Sequence, residues 1–162
     1  MNVHLNLTKF NQREAVKAYL QYLRYGEIDP AALYLSDKVS WKIVAVTTDM
    51  TGVKVDLETA QGLVSQAEDV LSMDKQRLVA AWKKYMSELV EETTTFEMRD
   101  VDQTENDTLT CGIEVEELTT AGKCEYKQSR LLVQFEPGAT KILKGIELVN
   151  QTQYAQFKRC KA

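Results

Sequence analysis

The chain has 162 residues, 44% of them hydrophobic and 27% charged, with only seven Gly and two Pro. That is the size and composition of one globular domain able to bury a core without disulfide or metal support. Its formal net charge of −4 argues against a nucleic-acid partner, because affinity for a phosphate backbone grows with the number of cations that displace counterions.

In chain order, Met1 to Phe10 lacks the basic start and apolar run of a signal peptide, and no later stretch approaches a membrane-spanning length of uninterrupted apolar residues. Cys111, Cys124 and Cys160 are odd in number and include no C-x-x-C pair. The expectation is therefore a cytoplasmic protein with reduced thiols and no membrane contact.

Val16, Tyr19, Leu20 and Leu23 recur at spacings of three and four between Asn11 and Tyr25, which predicts an amphipathic helix ended by Gly26. Asp29-Pro30 places a capping residue before a proline, so a short helix follows over 30–35. Val39, Trp41, Ile43 and Ala45 then alternate along a strand. Thr47 to Val55 is read as a loop, with Asp49 in it. Asp56 caps a helix running through Met73, with Ala60, Leu63, Val64, Ala67, Val70 and Leu71 on one side. Asp74 caps a second, carrying Leu78, Ala81, Trp82, Tyr85, Met86 and Leu89, unless the two are one kinked helix.

Beyond Glu92 the period changes to two. Four strands follow, over 93–101, 107–119, 124–135 and 140–149, separated by turn chemistry at Asp102 to Asp107, Ala121-Gly122 and Glu136-Pro137-Gly138. Connections this short make neighbouring strands antiparallel, since a parallel crossover needs a dozen residues or more. With no internal repeat, linker or low-complexity tract, residues 1–162 read as one α+β domain. Its N-terminal helices pack on a curved antiparallel sheet.

This order resembles the nuclear-transport-factor-2-like superfamily, also called SnoaL-like or cystatin-like. The resemblance spans nearly the whole chain. It is carried by Val39-Ser40-Trp41 in the first strand, by the long helix before the meander, and by the hairpin from Phe135-Glu136-Pro137-Gly138 into Lys141-Ile142-Leu143. The closing Ile146-Glu147-Leu148-Val149-Asn150 adds to it. The resemblance implies a cone-shaped α+β barrel with a pocket at its open end. Isomerases, dehydratases, epoxide hydrolases, polyketide cyclases and non-catalytic adaptors are built on it. The chain departs from the family in a longer segment from Thr47 to Met73, and in Gly145, where bulkier residues are frequent. Either change reshapes or fills the pocket.

Pairing the last two strands about Gly138 sets 135 opposite 141, 133 opposite 143, 131 opposite 145 and 129 opposite 147. Leu131, Val133, Phe135, Leu143 and Val149 then share one face with three polar residues: Lys127, Ser129 and Glu147. Two readings of this trio stand. In one, Glu147 is a desolvated general base with a raised pKa, and Lys127 or a tyrosine donates to a developing oxyanion. In the other, the three lie at a wet rim and pair with one another. Trp41, Tyr19, Ser129 and Tyr85, with Tyr22, are the candidate ligand-binding residues, and packing explains the aromatic ones equally well.

Cys111 shares the parity of Leu109 and Ile113 and reads as a small buried hydrophobe. Asp49 and Asp56 are read as turn or capping residues, and Glu97, Arg99, Glu114 and Glu116 as charges on the outer face. The basic Lys158, Arg159 and Lys161 read as a solvated tail. The single histidine, His4, falls in a segment expected to fray, which removes a His-dependent triad or metal site. No Gly-rich phosphate loop is present, so no cofactor is expected.

The function this points to is binding of a small apolar metabolite in the cone, with cofactor-free acid–base chemistry of an isomerase, dehydratase or cyclase if Glu147 is desolvated. The alternative is a non-enzymatic interaction domain whose pocket is filled by Trp41, Phe96 and Trp82. Leu132, Ile142, Ile146 and Leu148 line up on the opposite face, an apolar stripe from which a homodimer through the outer sheet is expected.

Overall fold

The computed structural model describes residues 3–46, 55–87, 95–103, 107–118, 124–150 and 154; for residues 3–6, 95–96, 114–118 and 124–128 it describes the backbone. In chain order the elements are α1 (Val3–Arg24), α2 (Ile28–Ala32), β1 (Leu35–Ala45), α3 (Leu57–Gln66), β2 (Leu71–Met73), α4 (Lys75–Ser87), β3 (Thr95–Asp102), β4 (Thr108–Leu118), β5 (Cys124–Phe135) and β6 (Ile142–Val149). None of the described helices is long and apolar enough to cross a membrane.

α1 begins at Val3 and not at Asn11, so His4 lies inside a helix. Periodicity could not reveal its first two turns, because Leu7 and Phe10 stay 54% and 58% exposed and bury no stripe. Gly26 ends α1 as expected, with a left-handed φ of 72°. Its amide bonds to the Leu23 carbonyl and the Glu27 amide to that of Tyr22, satisfying carbonyls that the last turn leaves open. Asp56 and Asp74 each accept from the backbone amide three residues on, at 2.7 and 2.9 Å, as N-caps do.

The helix expected through Met73 stops at Gln66, where Ala67 turns to extended backbone. Leu71–Met73 instead forms β2, antiparallel to β1, with Trp41 opposite Met73 and Ile43 opposite Leu71. Leu71 and Met73 are buried and Ser72 is exposed, but a strand of three residues gives too few alternations to outweigh the helical spacing from Ala67 to Leu71.

The sheet order is β2-β1-β6-β5-β4-β3. The meander from β3 to β6 is antiparallel throughout, as its short turns require, but β1 runs parallel to β6. Nothing local fixes that pairing, because the two strands are almost a hundred residues apart in the chain. The sheet is thus mixed and open, with β2 and β3 at its edges, and is not a closed barrel.

α1, α2 and α4 cover one face, packing Val16, Tyr19, Leu23, Ile28 and Leu78 on Trp41, Ile43, Leu131, Val133 and Val149. α3 lies on the other, where Ala60 and Val55 bury Val44, Leu132, Ile146 and Leu148. This corrects the exposed stripe. Leu132, Ile146 and Leu148 are only 2–3% exposed, so this chain's own α3 takes the surface from which a homodimer is expected.

The last hairpin is offset by two residues from the expected register. Leu131 is opposite Glu147, Val133 opposite Gly145, and a bulge at Gln134/Phe135 sets Phe135 opposite Ile142. The turn between them closes from the Glu136 amide to the Lys141 carbonyl. It is held from outside by Asp107, whose Oδ1 accepts from the Gly138 amide at 2.9 Å and from Gln12 Nε2 at 2.8 Å. A two-residue slip preserves parity, so Glu147 and Val149 keep their expected face. The bulge reverses parity at the strand's start: Ile142 enters the core and Leu143 leaves it.

Two side chains mark where this packing is tight. A Cβ built on Gly145 would lie 2.2 Å from Cε3 of Trp41. On the α3 face, Arg130 is 3% exposed and its guanidinium lies over Gly112, with Nη1 3.2 Å from where a Cβ would stand. None of its three nitrogens has a hydrogen-bond partner among the described residues. Gly145→Ala should destabilise the fold by roughly 2–3 kcal/mol through overpacking against the ring. Arg130→Met should raise stability by roughly 1–3 kcal/mol, because the apolar stem is kept while a costly buried charge is removed. Urea unfolding of both variants checks the opposite signs.

Candidate functional site

Two rows of side chains cross the helix-covered face. Met73, Trp41, Gly145, Val133 and Leu109 form one; Leu71, Ile43, Glu147, Leu131 and Cys111 form the next. Glu147 and the Cys111 thiol are the ionisable groups among them. Because Gly145 has no side chain, the Trp41 indole can lie across β6, and its Nε1 donates to Glu147 Oε1 at 2.8 Å. Tyr19 of α1 packs on Trp41 with ring centroids 5.8 Å apart. From α4, Trp82 and Tyr85 meet edge to face at 5.6 Å. Trp41, Tyr19 and Tyr85 are each 1% exposed.

Electrostatics follow from that enclosure. Burial pushes the Glu147 carboxyl up to about 7, and the Trp41 N–H opposes part of the rise. Burial also holds the Tyr19 hydroxyl well above its ordinary value, the nearby Glu147 adds to this, and a loose approach from Trp82 works against it. The Cys111 thiol is pushed up to about 12, chiefly by burial, so it is an inert hydrophobe as its parity suggests. A carboxyl titrating near neutrality suits proton transfer, provided that a substrate can touch it.

The structure joins Trp41, Tyr19 and Glu147 in one contact group, with Tyr85 beside Trp82 behind it. Ser129 is buried opposite Ile113, diagonal to Glu147 and not directly across from it. The backbone of Lys127 sits opposite Val115. It lies four residues along β5 from the partner of Glu147, about 13 Å at strand rise, so the offset separates the pair that the expected register had brought together. Tyr22 packs on Tyr34 instead of on the indole. Glu97 and Arg99 form an exposed ion pair at 2.9 Å. Asp49, and the side chains of Lys127, Phe96, Glu114 and Glu116, fall outside the described residues. No group of three or more His, Cys, Asp or Glu among the described residues is placed to hold a metal ion.

One feature escaped the sequence reading. A groove of about 440 Å³ runs between α1 and the β3 edge, lined by Phe10, Arg13, Lys17, Leu20 and Arg24 on one side and by Met98 and Val101 on the other. On α1 these positions read as an ordinary solvated face, and only the packing of β3 beneath them makes a cavity. β3 lies three strands from β6, about 14 Å at normal strand spacing. The groove and Glu147 are therefore separate places.

No family model and no curated protein matches this sequence. Solved structures match it in shape. BvnE pinacolase from Penicillium brevicompactum has a TM-score of 0.65 at 8% identity, covering 99% of this chain and 96% of that one. An NTF2-like protein of unknown function from Burkholderia pseudomallei scores 0.61 at 7% identity, over 91% and 96%. A de novo designed protein with a curved β-sheet scores 0.62 at 15% identity, over 93% of each chain. At such identities the likeness is one of fold.

Glu147 makes the fold less stable as pH rises. Its folded-state pKa of about 7 lies above the ordinary 4.5, so the folded chain binds the proton more tightly. Its contribution is complete below about pH 4.5 and is lost as pH rises through 7, to a total of about 3 kcal/mol. Asp37 and Asp56, whose pKa values are lowered, titrate below this window. Denaturant unfolding between pH 4.5 and 8 should show the decline, and Glu147→Gln should flatten it.

Proposed function

We propose that this chain, whose fold is that of the nuclear-transport-factor-2-like superfamily, binds a small, partly apolar molecule in the groove between α1 and β3. The observation that carries this reading is the groove itself. At about 440 Å³ it has the size of a small-molecule site, with an apolar floor of Leu20, Met98 and Val101 inside a charged rim. The interior beside Glu147 holds Trp41, Tyr19 and Tyr85 in close packing. A ligand in the groove is separated from the carboxyl by Leu131 and Cys111, far beyond proton-transfer reach.

A second reading keeps Glu147 as a general acid or base of an isomerase, dehydratase or cyclase, and its near-neutral pKa favours it. That chemistry brings a ligand against the carboxyl that accepts from the Trp41 Nε1–H, so one signal separates the two readings. In amide and indole NMR spectra recorded during a screen of small apolar molecules, groove binding should shift amides of residues 10–24 and 97–101 and leave the Trp41 Nε1–H in place. A bound molecule should also raise stability by about 2.7 kcal/mol at a hundred times its Kd. Binders that first move the Trp41 Nε1–H would sink the groove reading in favour of the carboxyl, and a screen with no binder would end both.

A further inference from the structure

We infer that the groove selects an amphipathic monoanion: an unbranched aliphatic chain ending in a carboxylate. This rests on the binding reading above and specifies its ligand. Shape comes first. Along α1 the lining runs from Phe10 to Arg24, about 21 Å at helical rise. The groove is open to solvent along that length, so it is elongated rather than compact, a shape that an extended chain follows over its whole span.

Polarity comes second. Leu20 is buried and Met98 and Val101 are half-buried, so the floor is apolar. Phe10, 58% exposed, continues that surface to solvent at the α1 N-terminal end. An exposed phenyl ring beside an apolar slot is a surface that a hydrocarbon tail would cover.

Charge comes third. Arg13 and Lys17 stand on the groove side of α1, with Arg24 drawn over the Tyr25 ring at 5.2 Å, against Glu14 and Glu97. Glu97 is already held by Arg99 at 2.9 Å, which leaves the rim cationic. The chain as a whole carries a net charge of −4, so a positive lining is a local departure and not the protein's background. Cations along one wall of a groove favour an anionic head at that wall and disfavour a cationic one.

The test is isothermal titration of the full chain with three probes below their micelle concentrations: decanoate, butyrate and decyltrimethylammonium. Vesicles of phosphatidylglycerol form a fourth arm. Decanoate should bind at least tenfold more tightly than either butyrate or decyltrimethylammonium. The double substitution Arg13→Glu, Lys17→Glu should cost decanoate about tenfold and improve decyltrimethylammonium, and Phe10→Ser should weaken decanoate several-fold. All three positions are exposed, and an unchanged melting temperature without probe confirms that each variant is folded. Equal binding of decanoate and decyltrimethylammonium would overturn the charge selection while leaving a groove that binds apolar chains. Binding to vesicles without binding of free decanoate would overturn the free-chain ligand in favour of a membrane headgroup. Failure of every probe, alongside groove binding by a neutral ring compound in the NMR screen, would overturn this inference alone.

Discussion

The packing of Trp41 across Gly145 organises the helix-covered face. An indole can lie flat on a neighbouring strand only where that strand has no Cβ, and Gly145 provides the gap directly opposite in the parallel β1–β6 pair. From there the ring does three things. It fills the centre of the sheet, it gives Tyr19 a partner that fixes how α1 sits, and it supplies the donor for Glu147. A carboxyl in that row would otherwise be an unpaired polar group among Ile43, Leu131 and Cys111, a cost of several kcal/mol if it were charged. The indole N–H and a raised pKa together make its burial tolerable, since the neutral acid needs only one or two partners. The departure at Gly145 is thus a filling device.

The opposite face uses a different solution. Sheets that bury both sides usually need a second layer, and here α3 supplies it over Val44, Leu132, Ile146 and Leu148. Arg130 sits in the same layer, next to Leu148 and over Gly112. Its stem extends the apolar surface, as long basic side chains commonly do, while its head is held away from water.

Much of this was legible from residue types alone. The meander, its antiparallel sense, the caps at Asp56 and Asp74 and the αL stop at Gly26 all follow from local chemistry that tertiary context did not override. The face occupied by Glu147 was also legible, because parity survives any even slip. What failed was non-local. The partner of β1 lies at the other end of the chain, β2 is too short for its alternation to register, and the hairpin offset arises at the Gln134/Phe135 bulge and at a turn that Asp107 and Gln12 hold from distant elements. That offset separates Lys127 from Glu147, and one bulge exchanges Ile142 with Leu143. The groove was illegible for a related reason: its α1 side is an exposed charged face in sequence, and it becomes concave only when β3 packs beside it.

A near-neutral carboxyl is commonly read as a sign of catalysis, because active sites tune pKa values by burial. Here the burial that raises the pKa of Glu147 comes from the chain's own side chains, with Trp41 donating to Oε1 and Tyr19 packed on the indole. Desolvation by the protein's own side chains and desolvation by a bound substrate shift a carboxyl in the same direction, so the shift cannot distinguish them. Distance can. Two strands, β5 and β4, lie between the enclosed acid and the open groove, and no side chain bridges about 14 Å. Among the described residues, the centre of the sheet beside Glu147 is filled by Trp41, Tyr19 and Tyr85, and the groove lies at the β3 edge.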